Sequence, residues 1–306
     1  MLWTVIRQTV TQWSEDGASV LAAALAYYTI FALAPLLIIV VAVAGLVFGQ
    51  GEAQAALLDE ISNTVGPDAA SVIGTMLTNT AQSGSGILAT VIGAAILIVG
   101  ATGLFAQLQN ALNKVWDVKP GPSAGILHML KVRVLSLGMV LVIGFLLLVS
   151  LLLSAALSVV SGYFSGLLPG EDTVWQVINF LLSTAVITLL FAMIFKYLPD
   201  VQITWRDVWV GALVTSLLFS FGRFLISYYI GTSSAGSAYG AAGSLVVLLL
   251  WIYYSAQILL FGAEFTQVYG RHFGSGIQPA PYAVRSDSRA LAEQEDNVSL
   301  GKDSST

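Results

Sequence analysis

Cysteine is absent, histidine occurs only at His128 and His272, and just 9% of the 306 residues are charged. Without cysteine there are no disulfides, thiolate metal sites or cysteine nucleophiles. Two distant histidines leave little for imidazole chemistry. A soluble domain carries about 25% charged residues, so an ordinary soluble globular chain is excluded. The net charge of −5 argues against a nucleic-acid binder, which should carry a basic patch. No Walker loop is present, so this chain is not expected to hydrolyse ATP. What the chain has instead is apolar residues, 57% of the total, with a mean hydropathy of +0.84. That composition implies a polytopic membrane protein.

A membrane helix needs about 20 mostly apolar residues. Six stretches qualify, at about 19–48, 87–108, 134–160, 174–197, 208–230 and 241–269. The expected fold is all-α, a six-helix transmembrane bundle over residues 1–273, with short amphipathic helices at its interfaces. No signal peptide is expected, because no short apolar region with a small-residue cleavage site precedes the first span. Residues 274–306 are polar, carry Pro279 and Pro281 and lack periodicity, so a disordered cytoplasmic tail is expected.

The placement of Lys and Arg sets the orientation. Segments 49–86, 161–173 and 231–240 contain neither residue, and the first two carry Glu52, Asp59, Glu60, Asp68, Glu171 and Asp172. Arg7, Lys114, Lys119, Lys131, Arg133, Lys196, Arg206, Arg271, Arg285, Arg289 and Lys302 all fall on the other side. The positive-inside rule then puts both termini in the cytoplasm of a bacterial inner membrane.

Outside the spans, Trp3, Ile6, Val10 and Trp13 recur at helical spacing. They predict either a short helix in the membrane interface or a cytoplasmic continuation of the first span. The first external loop predicts two amphipathic helices, at 53–61 and 69–77, broken at Gly66-Pro67. Ala18, Ala22 and Ala26, and Gly86, Gly93 and Gly100, mark helix faces where backbones approach closely. Pro35, inside the first span, is a candidate hinge or a static kink.

Ionisable residues within a span cost at least about 2.5 kcal/mol at the bilayer centre, so they point to function. Arg223 lies on a polar stripe with Ser216, Ser220 and Ser227, which share one helix face. At about 1.5 Å per residue, Arg223 sits level with Asn179 and Ser183 of the fourth span. The expectation is an outward-open polar pocket in which Arg223 faces Asn179 or Ser183, with Glu171 and Asp172 at its rim. The alternative is that Arg223 snorkels to headgroups. Glu264 shares a face with Gln257 and lies too deep to meet Arg223. It is read as a cytoplasmic gate or a structural tie, meeting Arg206, Lys196 or the polar end of the second span, where Asn110 and Asn113 lie. No catalytic, metal or cofactor site is expected.

Four separated motifs carry a family resemblance: Ala26-Tyr-Tyr-Thr29 with Pro35; Leu112-Asn113 with Trp116; Leu198-Pro199, Trp205-Arg206 and Gly211-Ala212; and Tyr239-Gly-Ala-Ala-Gly-Ser244, Trp251-Ile-Tyr253 and Gly262-Ala-Glu264. Over about residues 10–270 the chain resembles the YihY/BrkB family of bacterial inner-membrane proteins, also labelled ribonuclease BN-like. The resemblance implies a six-span membrane protein and little about activity. RNA hydrolysis needs a metal site or a paired acid and base, with a groove for phosphates, and the sequence offers none of these. The expected function is therefore translocation of a lipid or other amphiphilic substrate, anionic ones included. The competing expectation is a non-transporting membrane scaffold or envelope-assembly factor. Membrane lipids are the expected partners, and nucleic acid is not.

Overall fold

The computed structural model describes residues 2–64, 67–82, 87–121, 171–232, 243–274 and 276–286, with isolated positions at Val134, Gly138, Leu146 and Val149. Apart from those four positions, the expected third span lies outside the described residues, and so do 287–306.

Eight helices are present among the described residues: α1 (Leu2–Glu15), α2 (Ala18–Phe48), α3 (Gln50–Thr64), α4 (Pro67–Gln82), α5 (Ile87–Val115), α6 (Glu171–Tyr197), α7 (Trp205–Thr232) and α8 (Gly243–Phe273). Three of them hold segments long and apolar enough to cross a membrane, namely Val174–Tyr197, Trp205–Ile226 and Gly243–Phe273. The bent pair α1–α2 adds a fourth if it counts as one crossing. The chain is thus an all-α membrane protein. The end of the helices that carries Lys114, Lys196 and Arg271 is called the basic end below, and the opposite one the far end.

α1 and α2 meet at 63°. The corner is Gly17, at φ 64°, a left-handed conformation that costs glycine little. α1 is therefore not a straight continuation of α2. Val5 and Thr9 of α1 are buried, and the helix packs on α8. Trp3 is 75% exposed, Val10 49% and Ile6 39%. An apolar stripe of this kind fits a helix lying against lipid.

α2 contains no charged residue, which suits a helix surrounded by apolar groups. Its Ala18, Ala22 and Ala26 are buried, and Gly100 of α5 lies against the backbone at Phe31 and Ala32. α3 and α4 form a hairpin at the far end, with Pro67 opening α4, where its missing N–H is not needed. Ala69, Ile73 and Leu77 of α4 pack with Leu37, Leu248 and Ile252. Glu52, Asp59 and Glu60 of α3 face outward.

Two small antiparallel sheets close the basic end. β1 (Val118–Pro120) pairs with β4 (Ala283–Arg285), and β2 (Val201–Gln202) with β3 (Gln278–Pro279). This corrects the expectation of disorder for residues 276–286. The segment adds little apolar area of its own. Instead its backbone takes up the open hydrogen-bonding edges of the two turns that leave α5 and α6, which a composition argument does not see.

Candidate functional site

α7 and α8 run antiparallel in close contact. Each carries a Gly-x-x-x-Thr sequence, Gly211 to Thr215 and Gly262 to Thr266. Gly211 faces Thr266 and Gly262 faces Thr215, so closely that a Cβ on either glycine would collide with the threonine opposite. Both threonines are fully buried and return their hydroxyl protons to the carbonyls of Gly211 (2.6 Å) and Gly262 (2.7 Å). The helices therefore touch backbone to side chain without leaving a polar group stranded.

Toward the far end the seam opens. Arg223 is half-buried in a narrow cleft with Phe219 and Ile226 of α7 and Trp251, Tyr254, Ser255 and Ile258 of α8. On the other side of Tyr254 and Ile258 lies an open groove of about 340 Å³, lined by Trp13, Leu218, Phe221, Leu225, Gln257 and Phe261. Its lining is almost wholly apolar.

The predicted pocket partners fall elsewhere. Ser216 is buried and meets Thr188 of α6 at 2.7 Å, which fixes the register of α6 against α7. Counting seven residues up each helix from that pair brings Leu181 level with Arg223, between Asn179 and Ser183. Asn179 and Ser183 are exposed, and neither lines the Arg223 cleft. The reason is rotation. Thr184 and Thr188 are the buried positions of α6, and at about 100° per residue Ser183 and Asn179 are turned roughly 100° and 140° away from Thr184. Ser220 is half-buried, while the side chains of Ser227, Glu171, Asp172 and Pro35 lie outside the described residues. The helix α2 continues through Pro35.

An aromatic ladder ties these helices together. Trp116 meets Phe195 at 6.0 Å, Phe195 meets Phe191 at 6.1 Å, Phe191 meets Phe219 at 5.8 Å and Phe219 meets Trp251 at 6.1 Å. The rings run from the end of α5 through α6 and α7 to the floor of the Arg223 cleft.

At the basic end the organising group is Asp200, which sequence reasoning missed. It is 2% exposed. Its carboxylate accepts from Asn113 Nδ2 at 2.8 Å, Gln109 Nε2 at 3.1 Å and Tyr282 OH at 3.1 Å. Its backbone N–H donates to Asn113 Oδ1 at 2.8 Å. Tyr282 has its phenol pushed up to about 12 by burial and by the neighbouring Asp200. Of the two predicted asparagines, Asn113 belongs to this cluster and Asn110 is exposed. The available signal was Gln109 and Asn113, four apart on one helix face.

Glu264 is fully buried. Of the cations proposed for it, Lys196 donates to the Ile203 carbonyl at 2.6 Å and lies over the Trp205 ring, and Arg206 is exposed. Gln257, on the same face of α8, donates to Tyr253 OH at 2.6 Å.

Comparison with known proteins matches residues 9–286 to the virulence factor BrkB family. Among curated relatives, a UPF0761 membrane protein of Alcanivorax borkumensis is 30% identical over 259 residues, covering 83% of this chain and 58% of that protein. One from Verminephrobacter eiseniae is 30% identical over 270 residues, covering 86% and 62%. One from Alteromonas mediterranea is 26% identical over 268 residues, covering 86% and 87%. The chain thus spans about three fifths of the first two relatives' length. No solved structure matches it. The match over nearly the whole described body, on a helical scaffold of membrane-crossing length, makes this chain a member of the BrkB family of membrane proteins.

Proposed function

We infer that this chain is a six-span protein of the bacterial inner membrane, with both termini in the cytoplasm, that translocates a lipid or other amphiphile. The observation that carries the reading is the open apolar groove between α1, α7 and α8, beside a half-buried guanidinium. An amphiphile needs apolar surface for its tail and a polar foothold for its head. Arg223, with the hydroxyls of Tyr254 and Ser255 in its cleft, gives an anionic head that foothold. Among the described residues Arg223 has no ion-pair partner. Membrane lipids are the partners in this reading; it assigns the chain no enzymatic role and no nucleic acid.

The test is reconstitution in liposomes with fluorescent anionic and zwitterionic lipids, comparing wild type with Arg223→Ala. The reading expects transfer between leaflets above the protein-free rate, reduced about tenfold for the anionic lipid in the variant. Protein-free rates for both proteins would discard it.

A second reading, an envelope scaffold, draws on the α3–α4 hairpin. Its apolar face is used inward, and Glu52, Asp59 and Glu60 remain outward as a surface for a basic partner.

A further inference from the structure

One face of α8 carries a file of polar side chains through the body of the protein. Tyr253, Gln257, Glu264, Gln267 and Arg271 fall within about 80° of one another at 3.6 residues per turn. Leu260 is the apolar member of this face. The file is anchored at both ends: Gln257 donates to Tyr253 OH at 2.6 Å, and at the basic end Gln267 and Arg271 donate to Asp117 at 3.2 and 2.7 Å. Between the anchors lies Glu264, at 0% exposure, with Gln267 at 1%. Among the described residues the carbonyl oxygens of Gln257 and Gln267 are buried without a protein partner, and so is the indole N–H of Trp13, which lines the same groove as Gln257. Trp116, at the end of α5, has a buried N–H in the same state.

Buried amide oxygens and indole N–H groups without partners are costly unless something bridges them, and the usual bridge is water making two to four hydrogen bonds. An ionisable side chain inside a membrane helix is characteristic of ion and proton paths. We propose that the α8 file is a hydrated proton path entered from the basic end at Asp117 and Arg271, and that Glu264 is its proton-binding site. In the binding step a hydronium ion delivered along the file gives its proton to a carboxylate oxygen of Glu264, leaving a neutral acid and a water. Release is the reverse.

The charged and titratable groups brought to this half of α8 by elements packed on it are Asp16 at the α1–α2 corner, Lys114 and Asp117 at the end of α5 and Asp207 of α7, with Arg271 and His272 on α8 itself. α2 brings only tyrosines, and α4 meets the far half of α8, at Leu248 and Ile252. Acids and bases are thus mixed around the entrance, which suits a group that changes charge. The file faces away from the Arg223 cleft and meets the apolar groove only at Gln257 and Trp13, and the spectroscopic test below reads Glu264 without any measurement of lipid transfer.

Infrared difference spectroscopy of the full chain in lipid nanodiscs tests it. On stepping the pH, a carboxylic-acid carbonyl band should rise and fall, shift in D2O, and be absent in Glu264→Gln. Gln267→Leu, which removes a stepping stone at the entrance, should slow the band's response several-fold. If Glu264→Gln does not fold, carbon-13 labelling of glutamate in the wild type identifies the band, and Glu264→Asp should move it. A titrating band set that is identical in wild type and Glu264→Gln would overturn the assignment, as would a Glu264 band that does not shift in D2O.

Discussion

The two halves of the α7–α8 pair are built on opposite plans. Near the basic end, Gly211 and Gly262 receive Thr266 and Thr215, and the helices close on one another. Near the far end, Arg223, Phe219, Trp251 and Tyr254 occupy the seam. Large, partly polar side chains cannot interdigitate at glycine distance, so a cleft and a groove open beside them. The same two helices therefore form a fixed joint at one end and a surface for a guest at the other. Gly222 lies in the far half beside Arg223, where a Cβ would press on the end of Ile258 and on the Tyr254 ring and not on a threonine.

The strongest way to break this contrast is to enlarge the joint. Gly262→Leu or Gly211→Leu forces a side chain into a space where even a Cβ collides with a threonine. Overpacking of this kind costs about 1–3 kcal/mol or more, and a β-branched neighbour keeps a heavy atom at the contact in either helical rotamer. Little monodisperse protein is expected in detergent. Gly222→Ala meets the end of Ile258, which can turn, and the Tyr254 ring, and should lower the melting temperature less than Gly262→Leu. Gly262→Ala combined with Thr215→Gly should recover much of the loss. Equal damage at Gly222 and Gly262 would erase the distinction between the halves.

Next in size is the cluster that locks the basic end. Asp200→Ala leaves the donors of Asn113, Gln109 and Tyr282 without their acceptor. Bonds to a charged group are worth about 1.5–3 kcal/mol each and do not add, so a loss of about 3 kcal/mol is expected from thermal denaturation. Limited trypsin digestion should then cut at Arg285, which is tied to β1 in the wild type. An uncut chain would show that the sheets hold without Asp200.

At the far end the expected loss is functional. Arg223→Ala should reduce anionic-lipid transfer about tenfold with the melting temperature little changed, because the guanidinium lies beside the groove and outside the glycine joint. A large drop in stability with unaltered transfer would reassign Arg223 to the scaffold.

The basic end also carries a pH dependence. The Tyr282 phenol titrates near 10 when unfolded and near 12 in the folded chain. Its contribution is complete below pH 10 and is lost as the pH rises through 12. Proteolysis at Arg285 should quicken over that window, and Tyr282→Phe should flatten the response.

What the sequence made legible follows from physics that is local along the chain. Long apolar runs announced α2, α6, α7 and α8, and spacing announced the amphipathic α3 and α4. The Ala18–Ala22–Ala26 face was legible because small residues at fourfold spacing have one use. The joint was half legible: Gly211 and Gly262 stood in the quoted motifs, but each needs a particular threonine on another helix, and that pairing depends on register. Asp200 was illegible because its partners lie 87 and 82 positions away, at Asn113 and Tyr282. The strands at 278–285 failed for a related reason. Their backbone bonds to turns remote in sequence, so no local periodicity marks them.

The smallest effect concerns the residues once expected to face Arg223. Depth along a helix follows from counting, but direction follows from which neighbours bury it. Thr188 and Ser216 are both buried, and two hydroxyl protons serve three contacts: Thr188 to the Thr184 carbonyl at 2.6 Å, Ser216 to the Leu213 carbonyl at 2.9 Å, and the 2.7 Å contact between them. One backbone bond must therefore yield, so this pair is a modest tie. Thr188→Val should cost about 1 kcal/mol. Asn179→Ala and Ser183→Ala, exposed and turned away, should change stability by less than about 0.5 kcal/mol and leave anionic-lipid transfer as in wild type. If instead Asn179→Ala reproduced the transfer defect of Arg223→Ala, the guest would have to contact α6 as well. The site would then lie between three helices, and the far half of the α7–α8 seam would be only one of its walls.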